Sequence, residues 1–311
     1  MAEITMKLVK ELRERTQAGL GDCKSALVEA GGDMEKAVEI ILKKGLAKSA
    51  KRAGAVATEG EVRALVQPDR RAGVLLEVNI QTDFAARNEE FCRFVGDVAT
   101  VALSAKRGDD LALARYPGTD KTVAQGRDEL VARIGEKVAV RRWERVELSA
   151  PAGVVHAYVH LGGKIGVLVE AVAGSSAVAE HPEFKKFVDD VAMQIAAMSP
   201  LYLSRGDVPR DAVDKQREIF VAQLKEENKP EPAWPKITQG KLNKWHTEVC
   251  LLEQESVIVS GSSVDQVRAE AARTAEGSIE IRRFVRYQLG EGIDKPQGPD
   301  FAAEVARMAG V

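Results

Sequence analysis

Histidine and cysteine, the side chains that most often ligate metals or attack substrates, are scarce in this 311-residue chain: it has four of the first and three of the second. His156 and His160 lie four apart on a predicted strand, on one face, but no third ligand stands near them in the sequence. His181 and His246 add no metal-ligand spacing. Cys23, Cys92 and Cys250 are far apart and odd in number, so a disulfide framework is not indicated and a reducing, cytoplasmic setting is the simpler reading. No apolar run approaches the ~20 residues of a membrane span. The segment after Met1 is charged and amphipathic, unlike a secretion signal. Neither charge sign prevails: 45 Lys and Arg against 47 Asp and Glu give a net charge of −2, which disfavours a chain built mainly to hold phosphate backbones. Gly162-Gly163-Lys164 lacks phosphate-loop spacing, and no catalytic triad can be assigned. The sequence thus offers no obvious catalytic, metal or cofactor site, and the expectation is a protein that is not an enzyme and needs no cofactor.

What is present is a folding sequence. Hydrophobic residues make up 45% and charged residues 30%, enough apolar surface for packed cores. Residues 1–54 read as a helical module. Leu8, Val9 and Leu12 share one helical face. Asp22 is placed to cap a second helix carrying Ala26 and Leu27, and Asp33 to cap a third carrying Ala37, Val38, Ile41 and Leu42, with Gly45 as its stop. Three short helices of this kind resemble a ubiquitin-associated-type bundle, a binding module. The stretch that follows carries Lys43, Lys44, Lys48, Lys51 and Arg52 with no acid, and is either a solvated helix end or a basic contact patch.

The rest hides a repeat. Residues 60–99 slide onto 153–192 without a gap, at an offset of 93, with 16 identities in 40 positions, far above chance. The matches include Gly73/Gly166, Glu77/Glu170 and the helical run Phe91, Phe94, Val95, Val98 against Phe184, Phe187, Val188, Val191. Each copy opens with two strand-like runs joined by a polar turn, then an amphipathic helix. A second match, Val138–Arg145 on Ile279–Arg286, has an offset of 141, so the second copy holds 48 extra residues. The fold predicted is α+β: a core N-subdomain over 55–149 and a core C-subdomain over 150–200 and 256–289, each a three-stranded antiparallel sheet with helices on one face. Within 201–255, Val213, Arg217, Phe220 and Leu224, then Leu242, Trp245, Val249 and Leu252, form two narrow seams around the breaker Asn228–Pro235, predicting an antiparallel coiled-coil hairpin. Residues 290–311 add a loop and a short helix with Phe301, Val305 and Met308.

One position stands out by difference. The first copy reads Thr82-Asp83-Phe84 where the second reads Ser175-Ser176-Ala177, at the turn from strand to helix. The fold therefore does not demand an aromatic there, which favours a Phe84 presented to a partner. Thr82 and Asp83 are placed to cap the following helix.

These residues resemble the translation elongation factor Ts family, the guanine-nucleotide exchange factors of elongation factor Tu. The likeness runs over essentially the whole chain. It rests on Leu12-Arg13-Glu14-Arg15-Thr16 with Asp22–Leu27, on the central Glu77–Asn88 with its Thr82-Asp83-Phe84-Ala85, on Ile134-Gly135-Glu136, on His160 before Ile165–Leu168, and on Gly290-Glu291-Gly292-Ile293. It departs from the family at Ala85, where Val is usual, and at Leu20-Gly21, where two methionines are common. The resemblance implies binding to the GDP form of elongation factor Tu and release of the nucleotide. Thr82, Asp83, Phe84 and Ala85 would dislodge the partner's Mg²⁺, with Ile134 and Gly135 beside them. Arg13, Leu20 and Lys24 would touch the G domain, and His160 the partner's far domain, in a 1:1 or a 2:2 complex. Two other readings compete: an RNA-binding or ribosome-associated protein using residues 43–52, and an enzyme using a cleft between the subdomains.

Overall fold

The computed structural model describes residues 4–294, with residues 17 and 53 excepted. The C-terminal helix expected around Phe301, Val305 and Met308, the side chain of Leu42, and the basic side chains of Lys48, Lys51 and Arg52 lie outside the described residues.

Helices α1 (Met6–Thr16), α2 (Leu20–Glu29) and α3 (Met34–Arg52) form the N-terminal bundle. Val9, Leu12, Cys23, Ala26, Leu27, Ala37 and Ile41 close its own small core. Asp33 accepts from the Lys36 amide at 3.1 Å, capping α3. Two expectations fail. Gly19, not Asp22, precedes α2. Asp22 sits in the first turn, where its charge suits the positive helix end. Gly45 does not stop α3, because a tertiary contact overrides its weak helix propensity. It lies where α3 crosses a later helix: a Cβ there would stand 2.6 Å from the Cβ of Ala132.

The first half of the core runs β1 (Glu59–Val66), β2 (Ala72–Ile80), α4 (Asp83–Ala86), α5 (Glu89–Ser104), α6 (Val123–Ile134) and β3 (Val138–Glu147). The second runs β4 (Gly153–His160), β5 (Ile165–Ala173), α7 (Ser176–Glu180), α8 (Pro182–Met198), then α9 (Arg210–Glu226) and α10 (Trp234–Val249), and finally α11 (Val264–Thr274) and β6 (Ile279–Gln288). The sheets are antiparallel, ordered β1-β2-β3 and β4-β5-β6. This is the α+β architecture that the repeat predicts.

Alternation along the central strands sorts the side chains into layers. Val74, Leu76, Val78 and Ile80 of β2 meet Phe91, Phe94, Val95 and Val98 of α5. Val167, Val169, Ala171 and Ala173 of β5 meet Phe184, Phe187, Val188 and Val191 of α8. The opposite faces pack on each other through Val62, Leu75, Val155 and Leu168. Both faces of β2 are thus covered, and all nine of its residues are buried. Gly166 is where the sheets come closest: a Cβ would stand 2.6 Å from Val62 Cγ1 and 2.7 Å from Leu75 Cδ1. The hairpin turns are exchanged between the halves. The Val62 amide donates to Gly163 O at 2.8 Å, and its repeat mate Val155 donates to Arg70 O at 2.7 Å.

Both sheets carry a bulge at the same repeat position, between Glu77 and Val78 and between Glu170 and Ala171. Glu77 is fully buried. It accepts from Arg141 at 3.0 and 3.1 Å, from Arg142, from Asn79 at 3.1 Å, and from the Gly290 amide at 2.8 Å. Arg142 also donates to Gln288 O at 3.0 Å and covers the Tyr287 ring at 4.2 Å. Strands of the first half are thereby fastened to the end of the second. Burial alone would raise the Glu77 pKa; the Gly290 amide, Asn79 and the two guanidinium groups outweigh it and hold the carboxyl below its usual range.

Helices α9 and α10 lie side by side, antiparallel, with Lys241 reaching Gln223 at 3.3 Å and Glu227 at 3.6 Å. Leu224 and Leu242 are buried, whereas Arg217, expected in the seam, is exposed and pairs with Asp214. No residue of this hairpin belongs to the four apolar clusters of the described residues. Helix α10 ends at Val249, Leu251 lies in the second-half core, and Leu252 packs on that core from a short 3₁₀ turn.

Two outcomes are expected. Excising α9 through α10 and joining the ends with a short glycine linker should leave one cooperative thermal transition, with a loss below about 2 kcal/mol; a broad or absent transition would contradict a separable hairpin. Glu77→Gln should lose about 2–4 kcal/mol in urea at about pH 7, because two arginines keep their charge without a carboxylate. The folded-state pKa of Glu77 is depressed, so its contribution is fully present above the unfolded value and is lost as pH falls through the folded one. The gap between parent and variant should therefore narrow below about pH 4; a gap constant with pH would argue against an ionised Glu77.

Candidate functional site

Strand β2 delivers the chain to the turn at Gln81–Phe84. The Thr82 hydroxyl accepts from the Ala85 amide at 3.2 Å and so caps α4. Asp83, expected to share that role, is instead the first helical residue and pairs with Arg87 at 3.0 Å, one turn on. Phe84 follows and is 81% exposed. A ring left this far in water gains nothing from burial in the free protein. Ala85, the last of the four expected contact residues here, is buried in the first-half core.

The segment 134–137 lies against this turn. Helix α6 ends at Ile134, half-buried against the core, and Gly135 caps it in the left-handed region at φ 80°. The reversal brings Glu136 under Thr82, whose amide and hydroxyl donate to the two carboxylate oxygens at 3.0 and 2.8 Å. The Lys137 amide donates to Gln81 Oε1 at 2.8 Å. These bonds tie the segment after α6, which begins at Ile134 and Gly135, to the turn that carries the exposed ring. The sequence quoted Glu136 as part of a motif but gave it no task, because a contact between residues 54 apart leaves no local signal.

The other expected contacts stand elsewhere. Arg13 is exposed on α1. Leu20 and Lys24, four apart on α2, share one exposed face of the module. His160 is exposed at the end of β4, its Nδ1 2.8 Å from the Tyr158 hydroxyl and its ring stacked on that tyrosine. His156 lies 3.1 Å from Asp189, and burial pulls its pKa down despite that carboxylate. Lys43 and Lys44, from the basic stretch, pair with Glu39 and Glu29 at 2.7 and 2.8 Å. A cavity of about 370 Å³ opens between the module and α6, lined by charges of both signs, among them Arg15, Lys44, Glu129 and Arg133. Among the described residues no group of three or more His, Cys, Asp or Glu could hold a metal ion, and no helix is long and apolar enough to cross a membrane.

A family model described as Elongation factor TS matches residues 81–291, a span that begins at this turn and ends just after Gly290. The chain belongs to the elongation factor Ts family. It is 48% identical to the Elongation factor Ts of Symbiobacterium thermophilum, with all of both chains aligned. It is 46% identical to that of Clostridium perfringens over 99% of each chain, and 45% identical to that of a Nitratiruptor species over 97% of this chain and 98% of the relative. Membership of the elongation factor Ts family makes this protein a translation elongation factor.

Exposure separates the ring's structural role from any other. Phe84→Ala should change the stability of the free protein by less than about 1 kcal/mol in urea or thermal unfolding, as for other exposed substitutions. A loss of about 3 kcal/mol or more would place the ring in a core.

Proposed function

We propose that this chain is the guanine-nucleotide exchange factor of elongation factor Tu, binding its GDP form and promoting GDP release without making or breaking a bond. The observation that carries the reading is Phe84: a large apolar ring, 81% exposed, on a turn fixed by a threonine cap and a carboxylate. In this reading the ring enters a pocket between helices of the partner's G domain and disturbs the site that holds Mg²⁺ and phosphate. Thr82, Asp83, Ile134 and Gly135 border the ring and complete that contact. Arg13, Leu20 and Lys24 hold the G domain through the helical module, and His160 meets the partner's far domain. Ala85, being buried, seats the short helix from beneath.

Linkage supplies the mechanism. A factor that weakens nucleotide binding by some ratio is itself weakened by nucleotide in the same ratio, so excess nucleotide releases it. Burial of a Phe is worth roughly 1.5–3 kcal/mol. Spent on distorting the nucleotide site, that energy corresponds to about a 10- to 150-fold acceleration.

Stopped-flow release of labelled GDP from purified elongation factor Tu tests the proposal. The parent protein should accelerate release, and Phe84→Ala should be slower than the parent by about 10- to 150-fold at equal concentration. Release at the parent rate by Phe84→Ala would remove the ring from the mechanism. No acceleration by the parent protein would remove the exchange function itself.

A further inference from the structure

We infer that Glu136 is a positioning residue for Phe84: its carboxylate accepts two hydrogen bonds from Thr82 and holds the turn that presents the ring. The inference rests on the exchange reading above and adds to it the group that acts through the ring.

The second copy of the repeat is the internal comparison. There Ser175 accepts from the Val178 amide at 3.3 Å, as Thr82 does from Ala85. Helix α7 is then held by its own side chain. Val178 is buried against Gly277, and a Cβ on that glycine would stand 2.4 Å from Val178 Cγ2. In the first copy both members of this contact are exchanged. Ala85 occupies the place of Val178, at the offset of 93, and Glu136 the place of Gly277, at the offset of 141. Where the second copy has an apolar contact, the first has two hydrogen bonds from Thr82 to a carboxylate.

The chemistry of Thr82 makes the exchange directional. Its hydroxyl has one proton, and giving it to Glu136 at 2.8 Å turns a lone pair toward the Ala85 amide. The carboxylate therefore sets the cap, and the cap sets the helix. A helix of four residues has no stability of its own, and Phe84 in water makes no packing that would hold it. A ring that must enter a pocket binds better when its backbone is already fixed, since ordering it on contact would draw on the binding energy. The carboxylate occurs in the copy with the exposed phenylalanine, whereas the copy with Ala177 relies on Val178.

Glu136→Gln keeps the size and one acceptor but loses the charge and the second acceptor. In the free full-length protein, amide hydrogen exchange at Thr82 and Ala85 should rise at least about fivefold while the melting temperature stays put. Stimulated GDP release should slow about 5- to 10-fold. Two further variants exclude a merely structural effect. Phe84→Ala with Glu136→Gln should be no slower than Phe84→Ala alone, because Glu136 acts through the ring. Ala85→Val with Glu136→Gly, which installs the second copy's anchor, should recover release to within about twofold of the parent. Unchanged amide exchange, additive losses in the double variant, or a slowed Phe84→Ala beside a fully active Glu136→Gln would overturn this inference alone. Phe84→Ala at the parent rate would overturn the exchange reading and this inference with it.

Discussion

A single buried carboxylate, Glu77, is the constraint on which the arrangement of the two halves depends. A charge without solvent is tolerable only when its hydrogen-bonding capacity is filled. Filling it draws on β2, β3 and the segment after β6. The bulge makes this possible. Glu77 faces Arg142 and Val78 faces Val140, so Arg141 is the extra residue of β3. Strict alternation would send consecutive side chains to opposite faces; at a bulge Arg141 and Arg142 both reach one carboxylate. The second copy keeps the bulge and the glutamate but uses them otherwise: Glu170 accepts from the Ser149 amide and hydroxyl at 2.7 and 2.6 Å, tying down the link between the halves.

Around these two anchors the halves pack sheet to sheet, with helices outside. The packing fixes where the chain leaves β2, and so where the turn at Thr82 sits. The proposed function lies where the copies diverge. The shared positions, such as the phenylalanines of α5 and α8 and the glycines between the sheets, are the ones the fold needs. The changed ones, Phe84 for Ala177, Ala85 for Val178 and Glu136 for Gly277, cluster at one end of the first sheet. A duplicated scaffold thus separates what is required for folding from what is added to it.

Much of this was legible in the sequence, and what was not has physical reasons. The repeat located both sheets because strand and helix periodicities survive in both copies. The helices α6 and α11 also carry a matching local signal: Thr122 with Gln125 and Ser263 with Gln266 form capping boxes at equivalent positions of the two copies. The base of the helical hairpin is hard to place from sequence because Leu252 continues its apolar spacing while packing on a different core. Gly45 was misread because glycine stops a helix by default and permits a close crossing by exception, and only the neighbour, Ala132, decides which. The bond from Glu136 to Thr82 and the lock at Glu77 were invisible for a simpler reason: each joins residues far apart in the chain. The one hint is a glutamate kept in both copies within largely apolar strands.

The exchange of turns and the lock at Glu77 also order events during synthesis. The amide that completes the Glu77 shell belongs to Gly290, 213 residues downstream. The first half can form its sheet once β3 has left the ribosome, but the face that packs on the second half then lies open, and its carboxylate lacks a donor. Strands β4 and β5 and helices α7 and α8 emerge next, and the hairpin α9–α10 follows before β6 can close the second sheet. Chain elongation thus passes through a stretch in which one half is folded while its buried carboxylate still waits for the segment after the C-terminal strand.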